Sequence, residues 1–197
     1  MQHKTIAFIG AGNMTKSIIS GLVKNNYPAQ LITASNPSIG KLTDLQSEFA
    51  INITQNNIDA FNAADVIVLA VKPQKMSLAC DDFKDMDLSQ TCAISVAAGV
   101  TCETLTNLLG ADTPVVRSMP NTPSLIGYGA TGLYANDKVT EQQRLATSAI
   151  FDAVGKSIWV EDEDLMDVVT AVSGSGPAHY FLFMESVVQG GIELGLP

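Results

Sequence analysis

The stretch Lys4–Ser17, KTIAFIGAGNMTKS, constrains this chain more than any other. Lys4–Ile9 reads as a first strand, and Gly10 and Gly12 stand one residue apart. Met14–Asn25 then places Ile18, Ile19, Leu22 and Val23 on one face of a helix. A strand that turns into a helix within so few residues opens a βαβ unit, and such a unit commits its strands to a parallel sheet. The rhythm continues with strands at Leu31–Ala34 and Ile51–Ile53 around a helix at Ile39–Phe49. Asp65–Val71, DVIVLAV, is apolar almost throughout, which suits a central strand covered on both faces.

A helix is expected around Gln74–Phe83, then a fifth strand in CAISVAAGV ending at Gly99, and a helix with Thr101 at its N-cap. PVVRSMP supplies a sixth strand, and Gly129–Ala135 and Ser157–Val160 two more, with a helix at Glu141–Val154 between them. From Glu161 onward only helical patterns remain, at Asp164–Val172 and Ala178–Leu194. The expected architecture is α/β: a doubly wound, mainly parallel Rossmann-type sheet over residues 1–160, followed by the start of an all-helical region over 161–197. One helix pair cannot readily bury its own apolar face, so the sequence predicts further helices beyond Pro197.

Function classes narrow from composition. A net charge of −9 argues against a nucleic-acid partner, because phosphate binding draws on clustered Lys and Arg. With no apolar run of membrane-spanning length and no signal-peptide pattern at the N-terminus, the expectation is a cytoplasmic protein without a membrane partner. Cys80, Cys92 and Cys102 lack metal-ligand spacing and read as reduced thiols, so no metal is expected. Hydrophobic residues reach 46% and charged ones only 16%, which implies that some surface is covered by another subunit.

Any anionic ligand must therefore be held locally. In the opening unit, Gly10 permits the tight turn and Gly12 lets backbone approach a pyrophosphate, which would meet the amides and dipole at the helix N-terminus. Thr15 occupies the third fingerprint position, normally Gly or Ala; its methyl is small and its hydroxyl can bond the preceding turn. After strand two the chain reads ITASNPS. Ser35 and Asn36 are neutral donors, nothing acidic precedes Asp44, and Lys41 is the nearest cation, so NADP is favoured over NAD. Ala70, Val71, Lys72 and Pro73 leave strand four at the same edge, and Val96, Ala97 and Ala98 leave strand five with side chains small enough for a flat ring.

FIGAGNM, AVKPQ, SVAAGVT, RSMPNTP and VSGSGPAHYF, in that order, resemble the pyrroline-5-carboxylate reductase family, from Thr5 to Pro197. The pair MPNTP and SGSGPA carries most of that specificity. The resemblance implies NADPH-dependent, or alternatively NADH-dependent, reduction of the cyclic imine 1-pyrroline-5-carboxylate to L-proline by a homodimer or higher homo-oligomer. It implies that Ile9, Gly10, Ala11, Gly12, Asn13 and Met14 hold the pyrophosphate, that Asn36 and Asn57 lie by the adenosine, and that Ala70–Pro73 and Val96–Ala98 flank the nicotinamide. It also implies that Glu163 lies close to the imine nitrogen. Two departures from the family pattern are Thr15 in place of alanine and the absence, within these residues, of a later Ser-Pro-Gly-Gly-Thr-Thr segment for the substrate carboxylate.

The residues themselves leave alternatives. Glu163 could stabilise an iminium or could simply belong, with Glu161, Asp162 and Asp164, to an acidic first turn. Asn121 could bond substrate or close an Asx turn. Ser175 and Gly176, before Pro177, read as a bare helix entrance that could wall a substrate pocket or pack as an interdomain hinge. The rival enzyme, a β-hydroxyacid dehydrogenase, would want a lysine in its second domain, and none follows Lys156. A chain that binds NADP without turnover is the other rival.

Overall fold

The computed structural model describes residues 3–62 and 64–197; Met1, Gln2 and Ala63, which fall within the first expected domain, lie outside them. Eight strands form one sheet: β1 (Ile6–Ile9), β2 (Ile32–Ser35), β3 (Asn52–Thr54), β4 (Val66–Leu69), β5 (Cys92–Ser95), β6 (Val115–Met119), β7 (Gly129–Ala135) and β8 (Gly155–Trp159). Their order is β3-β2-β1-β4-β5-β6-β7-β8. All neighbours are parallel except β6 and β7, which pair antiparallel.

Helices cover both faces: α1 (Asn13–Lys24), α2 (Ile39–Phe49), α3 (Asn57–Phe61), α4 (Met76–Cys80), α5 (Cys102–Leu109) and α6 (Glu141–Asp152). The alternation within β4 shows why its sequence is apolar throughout. Val66 and Val68 enter the core beneath α1, α2 and α6, whereas Ile67 and Leu69 enter the core beneath α4 and α5. A strand with no solvent face has no position for a polar side chain.

Several elements differ from the sequence expectation. The fifth strand stops at Ser95 rather than Gly99, because Val96–Val100 leave the ladder and Gly99 takes φ +72°. The single helix expected over Gln74–Phe83 is instead a 3₁₀ turn at Pro73–Lys75, α4, and a second 3₁₀ turn at Asp81–Phe83. The short helix α3 carries no long apolar period and escapes sequence reading; its signal is the Asn56 cap, whose side chain accepts from the Ile58 amide. Thr101 and Thr140 cap α5 and α6, and Thr140 forms a full capping box with Gln143.

After Trp159 the described residues are helical: α7 (Leu165–Val169), one π turn (Thr170–Gly174) and α8 (Gly176–Glu193). The bare helix entrance expected at Ser175 and Gly176 is not one. Ser175 sits in the right-handed helical region, and its amide donates to Thr170 O at 2.8 Å, so α7, the π turn and α8 run on as a continuous helical path. Along α8, Tyr180, Phe181, Leu182, Phe183, Val187 and Val188 are all exposed. No helix of the described residues is long and apolar enough to cross a membrane.

Candidate dinucleotide site

The strand order reverses at β1, which lies between β2 and β4, and the chain exits of these strands meet at the carboxyl edge. In an open α/β sheet, that reversal leaves a crevice for ligand. Three backbone bonds lace its floor. The Gly10 amide donates to Ser35 O at 2.8 Å, the Ala70 amide to Ile9 O at 2.8 Å, and the Val96 amide to Leu69 O at 3.3 Å.

Gly10 has φ +108°, and a Cβ there would stand 2.5 Å from Ala70 O and 3.0 Å from its carbon, so no other residue fits. Gly12 is different. It is the N-cap of α1 with an extended backbone that any residue adopts, no side chain caps the helix, and a Cβ would meet nothing within 4 Å. The first turn of α1 contains no acid. Its leading amides therefore face open space with the positive end of the helix dipole behind them, a cradle suited to the pyrophosphate of a dinucleotide. Thr15 supports the turn: it is fully buried, and its hydroxyl donates to Gly10 O at 2.7 Å.

Beyond β2, Ser35 donates to Asn57 Oδ1 at 2.6 Å, and Asn36 Oδ1 accepts from the Ala11 amide at 3.4 Å. Asn57, brought here as the first residue of α3, donates in turn to Asp82 Oδ2 at 2.8 Å. Sequence reading finds no acid near β2 because Asp82 arrives from the distant 3₁₀ turn after α4. Lys72 is exposed at the exit of β4. On the other flank, the Ala97 amide donates to Ser95 Oγ at 3.2 Å, and Ser118 Oγ donates to Ser95 O at 2.8 Å, fixing the loop through Val96, Ala97 and Ala98. Ile9–Met14, Ser35, Asn36, Asn57, Ala70–Pro73 and Val96–Ala98 thus share one rim. Cavities of about 370 and 380 Å³ open at the opposite, amino edge around Lys4, Asp65 and Gln142, so volume does not mark this crevice.

The residues expected near substrate are engaged with the protein itself. Asn121 is buried; its Nδ2 donates to Ser173 O at 3.1 Å and Ser173 Oγ at 3.2 Å, and its Oδ1 accepts from the Ala130 amide at 2.9 Å. These long-range bonds stand where the sequence offered a local Asx turn. Glu163 Oε1 lies 2.7 Å from Arg117 Nη1 and accepts from the Cys102 amide at 2.7 Å. Sequence reading missed Arg117, although a charged residue inside the apolar run PVVRSMP signals a buried partner. The three thiols are buried, and burial pushes Cys80 up to about 11 and Cys92 and Cys102 up to about 12.

A doubly wound sheet with an open helix N-terminus at its switch point places the chain in the class of Rossmann-type nucleotide-binding folds. Residues 5–99 match the family described as NADP oxidoreductase, coenzyme F420-dependent, and residues 163–197 match pyrroline-5-carboxylate reductase dimerisation. A pyrroline-5-carboxylate reductase of Vibrio alginolyticus is 47% identical over 195 residues, covering 99% of this chain and 72% of the relative. The structure of the Coxiella burnetii reductase superposes with a TM-score of 0.94 at 42% identity, over 100% of this chain and 73% of that one. The Plasmodium falciparum pyrroline carboxylate reductase, solved with NADP bound, gives 0.89 at 29% identity, over 100% and 72%. The chain belongs to the pyrroline-5-carboxylate reductase family.

Proposed function

We propose that this protein reduces 1-pyrroline-5-carboxylate to L-proline, the last step of proline biosynthesis, at the expense of NADPH. The observation that carries this reading is the open Gly12 cradle at the β1/β4 switch point in a chain of this family. The bound cofactor supplies the hydride. Backbone from Ile9 to Met14 holds its pyrophosphate, and Asn36 and Asn57 face its adenosine ribose, while Ser35, fully buried, supports Asn57 from beneath. Ser35 and Asn36 bring no negative charge against a 2′-phosphate, and the Asp82 carboxylate is occupied by Asn57, which fits NADPH. Ala70–Pro73 and Val96–Ala98 flank the nicotinamide with small or backbone groups.

The chemistry asks little acid of the protein. A protonated C=N already carries the charge that attracts hydride, so holding the ring at the right distance supplies most of what is needed. Of the two histidines, His179 is exposed on α8. Ser175 and Gly176 wall the substrate side, and Asn121 holds that wall through Ser173. Family membership sets aside the β-hydroxyacid dehydrogenase. Pairing of two copies through residues 163–197 covers the apolar surface of α8, and three buried thiols fit a reducing, cytoplasmic compartment.

The test is direct. Adding 1-pyrroline-5-carboxylate to protein and NADPH should consume the reduced nicotinamide absorbance and yield proline. Saturable NADPH binding with no consumption at any imine concentration rules the reading out.

A further inference from the structure

Glu163 is one point at which the helical region grips the sheet, and it does so where the nicotinamide-side loop ends. The Arg117 guanidinium is nearly buried, its side chain 8% exposed, in the strand next to the one from which that loop departs. A buried cation of this kind must be paired. Its partner Glu163 uses one oxygen, Oε1, for both Arg117 Nη1 and the Cys102 amide. Cys102 is the first residue of α5, and its amide has no partner inside the helix. One carboxylate therefore joins β6, the end of the loop Val96–Thr101, and the start of α7. Further along, Val169 packs on Gly132, and Ser173 is held by Asn121.

We propose that Glu163 is a positioning residue: through Arg117 and the Cys102 amide it sets the distance between the nicotinamide-side loop and the helical wall of the substrate site. This rests on the proposed function for its kinetic readout, and on geometry alone for its structural one. A carboxylate acting on the imine itself is the competing reading, and the two make opposite predictions for a second-site change.

Glu163→Gln keeps an oxygen for the Cys102 amide but leaves the Arg117 charge uncompensated. In the full-length enzyme it should raise KM for 1-pyrroline-5-carboxylate by about tenfold or more, with NADPH Kd within about twofold of wild type. The double variant Arg117→Met with Glu163→Gln removes the buried charge, retains the cap and fills the space with a flexible apolar chain; it should regain most of the lost kcat/KM. Amide hydrogen exchange over residues 96–102 should quicken in Glu163→Gln and recover in the double variant. A double variant as weak as Glu163→Gln overturns the proposal in favour of direct chemistry, as do unchanged kinetics in both. If Glu163→Gln does not fold, the double variant, expected to fold, decides through its kcat/KM. If wild type shows no turnover, the proposed function fails, and the exchange pattern still decides for or against the latch.

Discussion

Gly10 and Gly12 stand one residue apart, and the structure gives them opposite reasons for lacking a side chain. Gly10→Ala places a methyl carbon 2.5 Å from Ala70 O at φ +108°. The backbone strain contributes about 1–3 kcal/mol, and displacing the Ala70 carbonyl a further ~1–3 kcal/mol. For a chain of 197 residues the resulting loss of about 2–6 kcal/mol lowers Tm by at least about 5 °C. Gly12→Ala meets nothing within 4 Å and keeps its extended backbone, so only the N-cap preference is lost, below about 1 kcal/mol.

Binding should reverse the order. The methyl of Gly12→Ala occupies the space in front of the α1 amides, so a phosphate oxygen is pushed off at least one charge-assisted hydrogen bond. That bond is worth about 1.5–3 kcal/mol, a rise in NADPH Kd of about 10- to 150-fold. Thermal melts of both variants without cofactor, and fluorescence titration with NADPH, separate the two. Wild-type affinity in Gly12→Ala, or a melting loss as large as that of Gly10→Ala, would refute the assignment of the cradle.

The remaining expectations concern bonds away from the cradle. Asn121→Ala leaves the Ala130 amide and Ser173 without their buried partner and should lower unfolding free energy by about 1–3 kcal/mol in urea titrations, with KM for the imine rising as well. The three cysteines, raised to about 11 or 12 by burial, should resist a disulfide-exchange reagent at neutral pH and all react once denaturant is added; fast reaction of any one in native protein contradicts its burial. Burial pushes the Asp65 carboxyl up, but the Thr5 bonds and the Lys4 charge outweigh it and hold the group below its ordinary value. Its stabilisation is therefore present at neutral pH and lost as pH falls through the folded value. Being half exposed, it should be worth less than about 1 kcal/mol, so wild type and Asp65→Asn should differ at pH 7 and converge once the pH falls below the lowered folded value.

The sheet was legible because its signals are local. The apolar run Val66–Leu69 and the strand, glycine turn and helix of residues 6–24 each carry their own pattern, and the packing agrees with it. The expected Thr15 bond to the turn is present for the same reason, since donor and acceptor lie five residues apart. Contacts across long separations were not legible. Asn57 with Asp82, Asn121 with Ser173, and Cys102 and Arg117 with Glu163 span 25 to 61 residues, and nothing in either partner's neighbourhood names the other. Glu163 shows the consequence. Within VEDEDLMD it is one acid of several, and only the fold separates it from Asp162 and Asp164 by setting a buried guanidinium against it.

Small residues in the helical region follow from the same packing. SGSG before Pro177 reads as a bare entrance for ligand, yet its third residue donates into a π turn, and a Cβ on Gly174 would stand 2.5 Å from Met119 Cε. Gly132 likewise leaves room for Val169, whose Cγ1 would lie 2.6 Å from an added Cβ. Gly132 lets α7 sit directly against β7, and Gly174 lets the π turn sit against Met119 at the end of β6, the strand that carries Arg117. A π turn holds its extra residue only where neighbours define its place, and here Asn121 supplies two bonds to Ser173. Close backbone approach and side-chain bonding thus fix the helical wall to the end of the sheet that carries the dinucleotide cradle. A reductase that relies on geometry rather than on a strong acid needs that fixed distance more than it needs another polar group in the pocket.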